Sequence, residues 1–289
     1  MSQIYITAAL TSLAALAMWN WMVRKFPPQF PKSLLWLAFL ICLPMEPLSF
    51  YLMRRPLMDA FQGWWPQIFP YLVLVWAPLT EDTFKLAPLL VPAIRKALTG
   101  ENWAQLALAI GCGFGIGEAW LVAYFVAQSP EAGGHPFYAY GGFLGERLQV
   151  CILHAFFTSW ALRRWNNKFW LGLLMAMSLH FLANSPIVWI RFLPYKLVWL
   201  QVYGLVLLFF TVYAASHLAR HILGPINLAR ILLGRARCPG CSQIYDRPLL
   251  AANLGPKRYE RCPHCKKWHL TGQEHSLKED DASPIPDPG

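Results

Sequence analysis

The chain has 289 residues, of which 56% are hydrophobic and 14% charged, and its net charge is +10. Soluble domains carry about 25% charged residues, so this composition excludes an ordinary soluble globular protein and predicts an all-α, polytopic membrane helix bundle. The positive balance then reads first as a topology signal, because basic residues gather in cytoplasmic loops.

In chain order, apolar runs long enough for the roughly 20 residues of a spanning helix fall near residues 4–23, 33–53, 68–94, 103–128, 142–162, 169–189 and 197–219. That predicts about seven transmembrane helices within a bundle covering residues 1–219. The first run has no basic stretch before it and no small-residue cleavage site after it, so it is expected to be a retained helix and not a signal peptide. Arg24, Lys25, Lys32, Arg95, Lys96, Arg163, Arg164, Lys168, Arg220, Arg230, Arg235 and Arg237 share one side if the amino terminus lies outside. Arg54, Arg55, Arg191 and Lys196 occupy the other. The carboxy-terminal segment is therefore expected in the cytoplasm.

Beyond the last run, a basic connector (220–234) leads to a cysteine-containing segment (235–270), and then to a polar, proline-rich tail (271–289) expected to be disordered. Cys42, Cys112 and Cys151 sit singly inside apolar runs and read as small fillers. Cys238-Pro-Gly-Cys241 and Cys262-Pro-His-Cys265 have the spacing of a four-thiolate zinc site. A structural Zn²⁺ would close a segment too short for a core of its own. The segment resembles zinc ribbons and rubredoxin-like knuckles, but Ser242 and Lys266 stand where the rubredoxin knuckle usually has glycine. Lys257, Arg258, Arg261, Lys266 and Lys267 with Tyr259 and Trp268 could form a nucleic-acid face. Attraction to anionic lipid explains the same residues beside a membrane, so nucleic acid is not the expected partner.

Ionisable residues within apolar runs are costly and point to function. Glu81, Asp82 and Lys85 interrupt one run, Glu118 another, His154 a third, and His180 with Asn184 a fourth. At about 1.5 Å per residue, all lie roughly 12–20 Å from the outer ends of their helices, in one layer. Glu81 and Lys85, like His180 and Asn184, are four apart and share a helix face. Gly111 and Gly115 form a small-residue pattern that lets another helix approach, so Glu118 is expected to face protein. A structural role competes at each site: Lys85 as an ion-pair staple, His154 as an interhelical hydrogen bond, Asn184 as a partner for backbone freed near Pro186. Glu46 reads as a possible cavity residue and Glu146-Arg147 as an interfacial ion pair.

Glu81-Asp82-x-x-Lys85, Phe114-x-x-x-Glu118, the isolated His154 and His180-x-x-x-Asn184 follow one another on successive helices. Over roughly residues 64–189 this order resembles the PrsW family of intramembrane proteases, part of the superfamily that includes CAAX prenyl endopeptidases and the APH-1 subunit of gamma-secretase. The first motif departs from that family's usual Glu-Glu at Asp82. The resemblance implies a peptidase in a bacterial inner membrane that cleaves a membrane-associated protein or peptide. Glu81 would activate water, His180 and Asn184 would stabilise the oxyanion, and Glu118 and His154 would complete the site. Two histidines and two glutamates could also hold a metal, though without the His-Glu-x-x-His spacing, so a catalytic metal stays open. Two other classes remain: an inert membrane scaffold or partner-binding protein, and a transporter, against which no inverted repeat is visible. The ribbon would sit at the cytoplasmic membrane face and could engage a protein partner.

Overall fold

The computed structural model describes residues 2–26, 29–130, 133–190, 193–223, 234–248, 251–272 and 276–277. The chain divides into two compact units, Met1–Gly224 and Pro225–Gly289. Most of the expected connector, residues 224–233, lies outside the described residues, as do residues 273–275 and 278–289 of the tail and the orientation charges Arg191 and Arg230.

The first unit is helical: α1 (Ile4–Lys25), α2 (Lys32–Cys42), α3 (Met45–Ser49), α4 (Arg55–Trp64), α5 (Phe69–Phe84), α6 (Pro92–Ala97), α7 (Trp103–Gln128), α8 (Gly141–Arg163), α9 (Phe169–Trp189) and α10 (Lys196–Leu223). Among the described residues, α1, α7, α9 and α10 are long and apolar enough to cross a membrane, and a fifth span results if the bent pair α2 and α3–α4 counts as one. The expected single helix over 33–53 instead bends by 42° at Leu43-Pro44, passes through a π-helical turn at Phe50–Arg54 and runs on to Trp64. The expected helix over 68–94 also breaks. α5 ends at Phe84 and gives way to a 3₁₀ turn at Ala87–Leu90 before α6, because Pro88 and Pro92 cannot donate to a continuing α-helical ladder and each biases the residue before it away from the helical region.

α7 is the centre of the unit: every residue from Trp103 to Gly117 is buried, and the helix packs against α1, α2, α3, α8 and α10. The sequence Gly111-Cys-Gly-Phe-Gly-Ile-Gly117 makes this possible. A Cβ on Gly111 or Gly115 would collide with Ala155 or Cys151 of α8, and one on Gly113 or Gly117 would collide with the carbonyl oxygens of Phe39 or Leu43 on the α2 side. Glycines spaced by four thus smooth one face for α8, and the two interleaved with them smooth the other for α2. Trp19 of α1 stacks on Phe39 of α2 at 5.7 Å, closing the core on that side. By contrast α10 leaves Leu197, Leu205, Val206, Phe209 and Val212 exposed, the apolar surface that a lipid environment accepts.

The second unit is built of strands, so the all-α expectation describes only the first. β1 (Arg235–Arg237), β2 (Ile244–Asp246) and β6 (Ser276–Leu277) form an antiparallel sheet in the order β2-β1-β6. β3 (Ala252–Leu254), β4 (Lys257–Arg261) and β5 (Trp268–Thr271) form a second, in the order β3-β4-β5. Strand pairing thus extends into the segment expected as tail.

Candidate functional site

Glu81 and Asp82 occupy the last turn of α5, and Lys85 follows at its end, its backbone N–H bonded to the Glu81 carbonyl. The break therefore places the three charges where the helix stops. Around this break Lys85, Pro88 and Leu89 are buried, while Leu90 is exposed. Lys85 is fully buried. Its Nζ donates to Asp82 Oδ1 at 2.7 Å, lies 3.9 Å from Glu81 Oε2, and sits 4.8 Å from the centroid of Phe114.

Two further helices reach this point. From α9, His180 Nδ1 lies 3.2 Å from Asp82 Oδ2, and its Nε2 lies 3.6 Å from Glu81 Oε2. From α8, His154 Nε2 lies 2.7 Å from Glu118 Oε2 of α7, and the two imidazole rings meet edge to face at 5.4 Å. Phe157 stacks on His180 at 5.0 Å, which fixes that ring. Glu81, Asp82, Lys85, Glu118, His154 and His180, drawn from α5, α7, α8 and α9, are thus brought together.

Residues beyond the expected set complete the cluster. Arg54, from the π-helical turn, donates through Nη2 to Glu81 Oε1 at 2.7 Å and to Glu46 Oε1 at 3.0 Å, and through Nε to Thr80 Oγ1 at 3.2 Å. Arg54 therefore belongs to the buried cluster, with a side chain 13% exposed, and is no loop charge. Removing it from the orientation count sharpens the charge asymmetry. Glu46 also accepts from Ser49, so it joins Glu81 through Arg54. The expected Glu146–Arg147 pair is present, through Arg147 Nη2, and Arg147 Nη1 extends it to Glu118 Oε1 at 3.0 Å.

A cavity of about 460 Å³ opens beside the cluster, lined by Glu118, Arg147, His154, His180 and Asn184 among apolar side chains of α8, α9 and α10. Asn184 shares the wall with His180. Glu81, Asp82 and Lys85 do not line it; Glu81 meets it through the histidines. Among the described residues, the buried Glu46, Glu81 and Asp82 and the part-buried Glu118 pair with Arg54, Lys85, Arg147 and the two histidines, and Arg147 is shared with Glu146.

Glu81, His154 and His180 each offer one ligand atom, all within 4.8 Å of one another and all buried. Each histidine gives its other nitrogen to a carboxylate, Glu118 or Asp82. If both carboxylates are ionised, those nitrogens carry the protons and the lone pairs remain on His154 Nδ1 and His180 Nε2. His154 Nδ1 and Glu81 Oε2 are buried without hydrogen-bond partners. Carboxylate-oriented imidazoles and a free carboxylate oxygen are donors suited to a divalent metal, and equally suited to holding one water.

In the second unit, Cys238, Cys241, Cys262 and Cys265 form a cluster able to bind a metal such as zinc, with Sγ–Sγ separations of 3.7 Å (Cys238–Cys265) and 3.8 Å (Cys241–Cys262). The two knuckles match: Ser242 N–H bonds the Cys238 carbonyl at 2.8 Å and Lys266 N–H that of Cys262 at 3.0 Å. Ser242 and Lys266 have φ of 59° and 62°, so they adopt the left-handed turn that glycine would adopt more readily. The sequence departs from the knuckle pattern here but the geometry keeps it. Tyr245 donates to the buried Glu260 at 2.9 Å; burial, and then that carboxylate, push its hydroxyl above its usual range.

Comparison with protein-family models, with curated proteins and with solved structures finds no match for this chain.

Proposed function

We propose that the chain is an intramembrane peptidase of the PrsW type, acting on a membrane-associated protein or peptide. In this reading it has seven spans, an external amino terminus and a cytoplasmic zinc ribbon, in a bacterial inner membrane. One observation carries it: Glu81, His154 and His180 converge in a buried triangle beside a cavity whose largely apolar wall includes Glu118, Arg147, the two histidines and Asn184. The seven-span count adds α5 and α8 to the apolar helices. Arg147, a charge that lowers the hydropathy of α8, faces Glu118 and not lipid. α5 falls short of a ~30 Å hydrocarbon core at about 1.5 Å per residue, and the 3₁₀ turn after it supplies further length.

In the proposed chemistry a water sits between Glu81 Oε2 and the histidines. Arg54, itself paired with Glu46, holds the other Glu81 oxygen, so Oε2 is the one free to take the water proton as the hydroxide adds to the peptide carbonyl. The same carboxyl then returns the proton to the leaving amine. Asn184, on the cavity wall, and His180, positioned by Asp82, donate to the oxyanion. Asp82 positions His180 and is itself occupied by Lys85, so it is a weaker candidate for the base. If a divalent metal is bound, Glu81, His154 and His180 would hold it, and it would supply Lewis acidity at the carbonyl.

The test is a comparison of membrane and released proteomes from cells with and without the protein, followed by reconstitution of the purified chain with each protein that appears shortened. Cleavage by the purified chain is expected. A second reading, an inert scaffold, is favoured by the tight pairing of Lys85 with Asp82 and of Arg54 with Glu81 and Glu46, which could serve stability alone. The absence of any fragment dependent on the protein would select it.

A further inference from the structure

We infer that one face of the β3-β4-β5 sheet docks on the surface of an anionic phospholipid bilayer. This goes beyond the proposed peptidase and depends only on the chain's being a membrane protein. Side chains on a strand alternate between faces, and directly paired residues share one. The pairs Leu254–Lys257, Tyr259–Leu270 and Arg261–Trp268 therefore lie on a single face.

That face is amphipathic. Leu254 is 59% exposed, Tyr259 43%, Trp268 51% and Leu270 44%, and the Tyr259 and Trp268 rings stack at 5.2 Å and 18°. Lys257 and Arg261 on the same strand, and Lys266 and Lys267 just before β5, are exposed beside them. Glu260, the one acid of β4, points to the opposite side and is buried among Tyr245, Arg247 and Thr271.

Tyrosine and tryptophan settle at the headgroup level of bilayers, and basic side chains are drawn to anionic lipid. Single-stranded nucleic acid would also seek rings and cations, but the two rings cover each other here and two exposed leucines extend the patch, which suits an acyl boundary better than a row of bases. Tethering strengthens the case. The connector residues 224–233 can extend at most about 36 Å at ~3.6 Å per residue, so a bilayer holding α10 keeps the strands that follow tethered to a high local lipid concentration.

Hydroxyl-radical footprinting of the full chain in nanodiscs tests this, reading oxidation of Tyr259 and Trp268 against the buried Tyr245. Discs of phosphatidylcholine alone are compared with discs containing phosphatidylglycerol. The proposal expects oxidation of both rings to fall several-fold in the anionic discs and to recover in high salt. Each basic side chain near such a surface contributes about five-fold to partitioning, so Lys266→Glu with Lys267→Glu should abolish the protection. Lys257→Glu, away from the knuckles, should weaken it if the double variant loses its metal. Equal oxidation in the two kinds of disc overturns the proposal. Protection by an added single-stranded oligonucleotide, with none from anionic lipid, also overturns it and assigns the face to nucleic acid.

Discussion

Glu81→Gln separates a catalytic carboxylate from a structural one. The amide oxygen can still accept from Arg54, whose guanidinium keeps Glu46 at 3.0 Å and Thr80 at 3.2 Å, so no cation is stranded. Lys85 retains Asp82 at 2.7 Å. The structural cost is the charge part of one hydrogen bond, about 1 kcal/mol. Glu81 Oε2, by contrast, has no hydrogen-bond partner in the protein, and it is this atom's basicity that the substitution removes. Losing a general base costs about 10²–10⁴-fold in rate, or roughly 3–5.5 kcal/mol of barrier. The assay compares fragment release by wild-type and variant chains at matched membrane levels, alongside thermal unfolding in detergent. The expected outcome is near-native unfolding with release reduced at least 100-fold. Cleavage within two-fold of wild type by a folded variant would remove Glu81 from the chemistry and refute the reasoning.

Lys85→Met strands the buried Asp82 beside only His180 and should destabilise the protein by about 3–5 kcal/mol; adding Asp82→Asn should recover much of that in the same unfolding measurement, because no uncompensated charge is left. Gly111→Ala forces a methyl group into the Ala155 backbone and should cost about 1–3 kcal/mol, whereas Gly145→Ala, with open space around it, should gain about 0.5–1 kcal/mol from helix propensity. Cys238→Ser should lower bound metal, measured by elemental analysis, from one ion per chain to a small fraction. The unfolding of the helical unit, followed by far-ultraviolet circular dichroism, should stay unchanged.

Composition and run length alone established a helical, bilayer-compatible chain, because burying apolar surface in lipid demands long apolar segments whatever their packing. The two Cys-x-x-C pairs likewise announced the metal cluster, since four thiolates at that spacing have little other use. Gly111 and Gly115 marked the close approach to α8, and the shared depth of Glu81, Glu118, His154 and His180 marked their meeting, because helix rise converts position into height. What the sequence concealed were the irregular turns. An α-helix puts position i+8 about 80° away from position i, so Arg54 and Glu46 do not appear to share a face; the wider π-helical turn at Phe50–Arg54 changes the phase and brings them together. Pro88 and Pro92 signalled a break, but only the tertiary packing of α5 against α9 and α3 shows that it stops at the charges and leaves Lys85 buried between Asp82 and Phe114. Pairing across helices depends on how each is rotated about its axis, and that rotation is set by neighbours far apart in the chain.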